Sequence, residues 1–387
     1  MSKKALIITG IIVALIIIGL VWLFFFREPP KEGEEKGFLD YLLPTSSDKP
    51  TPSLPTLPDY STGSPGTTTP PILIKGDLIQ LVSEPVAGAV FNEELEKILY
   101  LKKTTGHLYE INPDGTARKQ KTITTIPKIF ETFWSQNSAN AVLRYSDDET
   151  YTFLASFSTT TEGVFLPLNT STTAVSPSGE KVFYLIKNEK AIGITSDFEN
   201  KNKKELFELP FSEFLTDWPQ KNIITLLTKP SAHTEGYLYK LHPQTGSFIK
   251  LLGGIKGLTT LHSPFNGKII YSQSSNDSLT TNFGVKTLPE KCFFSQLIEN
   301  SIYCAVPRYL PTADYPDDWY QGQFFFSDNL WKIDLDSGAT EMFFDPIAND
   351  PPAGGFDIIN LFSDTEENFL IFQNKKDLAL WSLKIKN

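Results

Sequence analysis

The sequence predicts an all-β, seven-bladed β-propeller, and three observations carry that expectation. Lys291 to Thr340 reads as a four-stranded antiparallel meander. Its runs Cys292–Leu297 and Ile302–Val306 turn at Glu299-Asn300, and its runs Asn329–Asp334 and Thr340–Phe344 turn at Asp336-Ser337-Gly338. A short element recurs, made of an apolar residue, then Ser or another polar residue, often Pro, then a Gly/Asn turn. It stands at Phe91-Asn92, Trp134-Ser135, Val175-Ser176-Pro177-Ser178-Gly179 and Trp218-Pro219 in steps of roughly 41–44 residues, and again at His262-Ser263-Pro264, Phe294-Ser295 and Phe362-Ser363. With the N-terminal segments set aside, about 315 residues remain, which seven blades of roughly 40–45 residues fill. Six and eight blades are the neighbouring solutions.

Residues 1–27 read as a cytoplasmic stub and a transmembrane signal anchor. Ala5 to Phe26 is an apolar run of about 22 residues, enough to cross a ~30 Å hydrocarbon core. Lys3 and Lys4 precede it, and Arg27 follows together with Glu28, Glu32, Glu34 and Glu35, a slight bias that favours a cytoplasmic N-terminus and an extracytoplasmic body. The run ends Trp22-Leu23-Phe24-Phe25-Phe26, with no small-x-small site, so a cleaved signal peptide fits poorly.

Residues 28–71 are rich in Pro, Ser, Thr and Gly, a composition that buries too little apolar area to offset its ordering entropy. This is a disordered linker, spanning on the order of 35–40 Å as a coil. Phe38-Leu39-Asp40-Tyr41-Leu42-Leu43 interrupts it and reads as an apolar patch or interfacial turn, with a docking peptide as the sharper alternative.

Residues 72–387 form the propeller. The chain uses 29 Phe and only 2 Met, and aromatic residues suit strands. Turns at Asn112-Pro113-Asp114-Gly115 and His242-Pro243-Gln244-Thr245-Gly246 join period-two strands. A blade over about 256–290 is abbreviated. The last repeat supplies three runs, Ile358–Phe362, Phe369–Phe372 and Leu378–Ile385. Leu78–Val82 lacks a hairpin partner of its own, so it is expected to complete that blade and close the ring.

The Ser-Pro-x-Gly element at Ser176–Gly179 and the hairpin Leu330, Trp331, Ile333, Asp334, Gly338 resemble TolB-type, WD-repeat-like propellers. The series Leu288–Cys292, Tyr303–Pro307 and Pro316–Gly322 is similar to single-anchor propeller proteins of small-genome bacteria. The TolB propeller binds protein partners, so the resemblance implies a binding role by analogy.

Cys292 and Cys304 lie directly opposite if the hairpin turns near Ile298, with Phe293 facing Tyr303 and Phe294 facing Ile302. In an oxidising compartment they form a disulfide; a lone pair without Cys-x-x-Cys spacing makes a poor redox or metal site. The segment Arg308–Phe326 is the longest insertion. It joins the second and third strands of its blade, which puts it on the face of the interblade links. Tyr315, Asp317, Asp318, Trp319 and Tyr320 within it are the candidate binding residues, since aromatics with carboxylates suit a protein or glycan. A lid packed over the channel is the equal alternative.

Asp317 and Asp318, adjacent and so facing opposite ways, would need a second acid from another blade for glycosidic chemistry, and Asp314, Asp317 and Asp318 lack the EF-hand pattern for calcium. His107, His233, His242 and His262 show no metal-ligand spacing. No cofactor motif is found. The net charge of −10 and short basic runs such as Lys201–Lys204 argue against nucleic acid. The expected function is therefore a membrane-anchored, non-catalytic module, held in the bilayer by Ala5–Phe26, that binds a protein or cell-surface ligand. The alternative is a propeller glycosidase or lyase, or a glycan-binding protein.

Overall fold

Alternating apolar runs separated by Gly, Asn and Asp turns form seven antiparallel sheets in the structure, a computed structural model that describes residues 73–75, 77–135, 137–157, 162–275, 278–346 and 354–386. The anchor, the linker and Phe38–Leu43 lie outside the described residues. No helix among the described residues is long and apolar enough to cross a membrane.

The sheets are the blades of a propeller. Blade one runs Val86–Asn92, Lys97–Lys102, Leu108–Ile111, Lys119–Gln120, and blade two Ile129–Trp134, Asn140–Ser146, Thr150–Ser156, Glu162–Phe165. Blade three runs Thr170–Val175, Lys181–Lys187, Ala191–Asp197, Lys204–Leu209, and blade four Phe214–Gln220, Ile223–Thr228, Glu235–Leu241, Phe248–Lys256. Blade five keeps three strands among the described residues, Thr260–His262, Ile269–Ser275 and Ser278–Thr281. Blade six runs Cys292–Phe294, Ser301–Pro307, Asp328–Asp334, Thr340–Phe344. Blade seven takes Ile358–Ser363, Phe369–Asn374 and Leu380–Lys384 from the end of the chain. Leu78–Val82 pairs with Leu380–Lys384, Leu78 opposite Leu383, and Leu73–Lys75 adds a further outer strand.

Each blade face is apolar and has to be covered by its neighbour. Separate core clusters accordingly sit at every junction. Tyr303, Leu330 and Trp381 pack between blades six and seven, and Leu81, Ile98 and Leu380 between seven and one. Leu101 with Leu143, Val142 with Val182, and Phe183 with Leu226 fill the next three junctions. Leu227 with Ile269, and Ile270 with Cys304, fill the last two.

In blades two, three and six the Ser of the recurring element closes the turn after the innermost strand, whereas in blade seven Asp364 accepts the Phe369 amide at 2.7 Å instead. Ser176 Oγ accepts the Lys181 amide at 3.0 Å, Ser135 Oγ the Asn140 amide at 3.0 Å, and Ser295 Oγ the Ile298 amide at 2.9 Å. Gly179 completes its turn at φ 72°, a left-handed conformation that glycine adopts without a steric penalty. The disulfide Cys292–Cys304 joins directly paired residues, with Phe293 opposite Tyr303 and Phe294 opposite Ile302. The first strand of that hairpin stops at Phe294, earlier than the expected Leu297, because the Ser295 turn begins there.

Candidate functional site

Pro307 pairs with Asp328, and Arg308 N–H donates to Ser327 O at 2.9 Å, so residues 308–327 leave the sheet as one closed insertion. Within it Asp317–Tyr320 make a single helical turn. The insertion lies at the end of the ring that carries the interblade links, and forms a cap there.

The cap holds its shape through the carboxylates singled out above. Asp318 Oδ2 accepts the Asp314 amide at 2.9 Å, and Asp317 Oδ2 accepts the Ala232 amide of blade four at 2.6 Å. Asp314 Oδ2 lies 3.0 Å from His233 Nε2. The cap thus crosses the abbreviated blade five to reach blade four. A Cβ on Gly257, between those blades, would stand 2.8 Å from Tyr315 O and 2.5 Å from Ser274 Cβ, so the close approach requires glycine.

Tyr315, Trp319 and Tyr320 are buried, at 0%, 1% and 5% exposure. Tyr315 stacks on Phe326, donates its hydroxyl to Pro311 O, and has its pKa pushed up to about 12 by burial and by Asp318. Tyr320 donates to Glu290 Oε1, and burial and that carboxylate hold its pKa well above the usual phenol value. Trp319 Nε1 donates to Asp357 Oδ2 at 2.8 Å.

That last bond leads to a charge cluster under the cap. Lys291 Nζ, fully buried, lies 2.8 Å from Asp328 Oδ2 and 2.6 Å from Asp357 Oδ1, both fully buried, and donates to Ile358 O at 2.8 Å. Asp328 Oδ2 also accepts the Ile358 amide at 2.7 Å, and Asp357 Oδ2 the Phe326 amide at 3.1 Å. Lys375 Nζ donates to Trp319 O and sits 4.1 Å from the Trp319 ring centre, a cation–π geometry.

Burial disfavours the Lys291 ammonium, but Asp328 and Asp357 outweigh it and its pKa is raised. Desolvation lifts Asp328 to about 6 against the pull of Lys291, and drops Lys375 to about 8. Glu290 Oε2 and Asp328 Oδ1 are buried without a hydrogen bond from the protein. The cluster ties the start of blade six, the start of blade seven and the cap into one unit. Sequence reasoning missed it. The available signal was a charged residue embedded in an apolar run, in Lys291-Cys292-Phe293-Phe294 and Phe356-Asp357-Ile358-Ile359.

Among the described innermost strands, two residues are acidic, Glu131 on blade two and Asp217 on blade four. Asp217 is reached by water yet ringed by protein, and desolvation raises its pKa. Glu131 bonds Arg144 at 3.1 Å, and desolvation lifts it to about 7 despite that partner.

His107 and His242 are engaged locally. His107 bonds Thr125 and Gln120, and His242 Nδ1 accepts turn amides. Buried His262 has its pKa lowered to about 4 by desolvation. Among the described residues no group of three or more His, Cys, Asp or Glu side chains is placed to hold a metal ion.

No protein-family model matches the chain, and no curated protein matches it in sequence. Solved structures do resemble it. An oligogalacturonate lyase from Vibrio parahaemolyticus aligns with TM-score 0.55 at 10% identity, covering 82% of this chain and 96% of that one. An oligogalacturonate lyase in complex with manganese aligns with TM-score 0.54 at 9% identity over the same shares. TolB from Acinetobacter baumannii aligns with TM-score 0.37 at 11% identity, covering 77% of this chain and 63% of that one. At these identities the likeness to the two lyase structures is one of fold alone; the seven blades are read from this chain's own sheets.

Proposed function

We propose that this chain is a membrane-anchored, extracytoplasmic propeller that acts as a non-catalytic protein-binding module. One observation carries the reading. At the end of the ring opposite the cap, Phe265, Leu297 and Ile298 are 58%, 50% and 44% exposed on neighbouring turns of blades five and six. Those turns are cross-linked, Asn266 Nδ2 donating to Asn300 Oδ1 at 2.8 Å, with Lys268 and Asn300 both bonded to Asp336. Exposed apolar side chains on turns bonded to one another, with polar groups beside them, fit the anatomy of a protein contact. Tyr315, Asp317, Asp318, Trp319 and Tyr320 enter this reading as the groups that hold the cap, since they are buried or bonded within the protein. The test is a photoreactive residue at Phe265 in intact cells. A dominant protein adduct that disappears with Ile298→Ser is expected; no protein adduct at positions 265 or 297 refutes the reading.

Two acids on innermost strands, Glu131 and Asp217, both with raised pKa, favour a second reading, a glycosidase or lyase acting on a saccharide. The two lyase structures lend it their fold only. The chain lacks a described ligand set for the manganese named with one of them, so no step through a metal is derived. Polysaccharide turnover abolished by Glu131→Gln or Asp217→Asn would bring this reading forward.

A further inference from the structure

Five large apolar side chains stand exposed at the cap end. Ile123 lies on the link from blade one to two, Leu168 from two to three, Phe211 from three to four, and Tyr309 and Phe325 on the cap; they are 87%, 53%, 66%, 66% and 38% exposed. They come from four separate segments around the ring, whereas a protein hot spot gathers its apolar area at one centre. Separate prongs at one end of a ring suit a flat, deformable surface.

Strand directions show where the rest of the chain joins. Val86 N–H donates to Leu378 O and Lys103 N–H to Pro85 O, so Val82 reaches the interblade-link end. Lys384 N–H donates to Asp77 O, so Leu78 starts at the opposite end. Leu73–Lys75 runs antiparallel to Leu78–Val82, hence away from the cap end. The described chain therefore enters Leu73–Lys75 from the cap side, and the sequence before it includes the apolar run Ala5–Phe26.

We propose that the cap end lies against a lipid bilayer, with Ile123, Leu168, Phe211 and Tyr309 seated in its interface. The proposal rests on the membrane-anchor reading above. Anchoring turns the contact into an intramolecular one, so apolar contacts too weak to recruit a free protein suffice. The same end carries Asp147, Asp148 and Glu149 as well as Lys128, Lys187 and Lys190, so neither sign of charge dominates it and the contact is apolar rather than electrostatic.

The test uses the full chain in phospholipid vesicles containing a nitroxide-quencher lipid. The native cysteines are paired, so single introduced cysteines accept an environment-sensitive dye. Ile123→Cys, Leu168→Cys and Phe211→Cys labels should be quenched roughly twofold or more beyond a Leu297→Cys label at the opposite end, and raised salt should not change this. Equal, weak quenching at all four sites, with the chain retained on the vesicles after an alkaline wash, overturns this inference alone. Loss of the chain in that wash overturns the anchor reading and this one with it. A protein adduct from a photoreactive residue at Phe211 in cells, without lipid quenching in vesicles, overturns it in favour of a protein contact.

Discussion

Lys291→Met removes the ammonium bonded to both Asp328 and Asp357 while nearly preserving side-chain volume. Two carboxylates then remain buried without that cation, and breaking a buried pair from one side costs about 3–5 kcal/mol. A domain holds only about 5–15 kcal/mol in total. At about 2 °C per kcal/mol for a body of this size, the thermal midpoint should fall by roughly 6–10 °C. The pH dependence follows from Asp328. Its folded pKa of about 6 lies above its unfolded value, so its stability contribution is whole below roughly pH 4 and is lost as pH rises through about 6. Lys291 opposes that raised value, so in the variant the loss extends to higher pH. The deficit should be small near about pH 5 and largest near about pH 7.5. Scanning calorimetry at both pH values reads this. A variant within about 1 kcal/mol of the parent at neutral pH, or a deficit that grows towards acid, refutes the account. Adding Asp328→Asn and Asp357→Asn to Lys291→Met should recover most of the loss.

Trp319→Ala removes a buried ring, its bond to Asp357 and the platform beneath Lys375, at a cost of about 3–5 kcal/mol; limited proteolysis should then cut first within 308–327, and an unchanged digest counts against the cap. Cys292→Ser with Cys304→Ser should cost up to about 3 kcal/mol, read as the difference in thermal midpoint with and without reductant in the parent and its absence in the variant. Asp217→Asn should raise or preserve stability at neutral pH and flatten the decline between mildly acidic and neutral pH, because a raised carboxylate pKa contributes stability only below it; a steeper decline would contradict the raised pKa. Deleting 77–83 removes the strand paired to Leu380–Lys384 and should abolish cooperative unfolding; an unchanged midpoint would show that the ring does not depend on closure.

The sequence by itself determined the architecture, because blade strands are set by local rules. Period-two alternation places one face of each strand on a neighbouring blade, and turn chemistry fixes the register. The pairing of Cys292 with Cys304 could therefore be counted from a single hairpin, and the missing strand of the last repeat pointed to Leu78–Val82. The repeats are legible because the apolar residue, polar residue and turn recur at blade spacing, and the Ser at 135, 176 and 295 closes such a turn. The environment of each polar side chain, by contrast, is set by packing between distant segments. Tyr315, Trp319 and Tyr320 look alike in sequence whether they face solvent or a core, and here the cap turns them inward onto Asp357, Glu290 and Phe326. Lys291, Asp328 and Asp357 are 37 and 29 residues apart in the chain and meet because two blades and an insertion converge at one end of the ring. Burial and long-range Coulomb partners are properties of that convergence, and no local pattern encodes them.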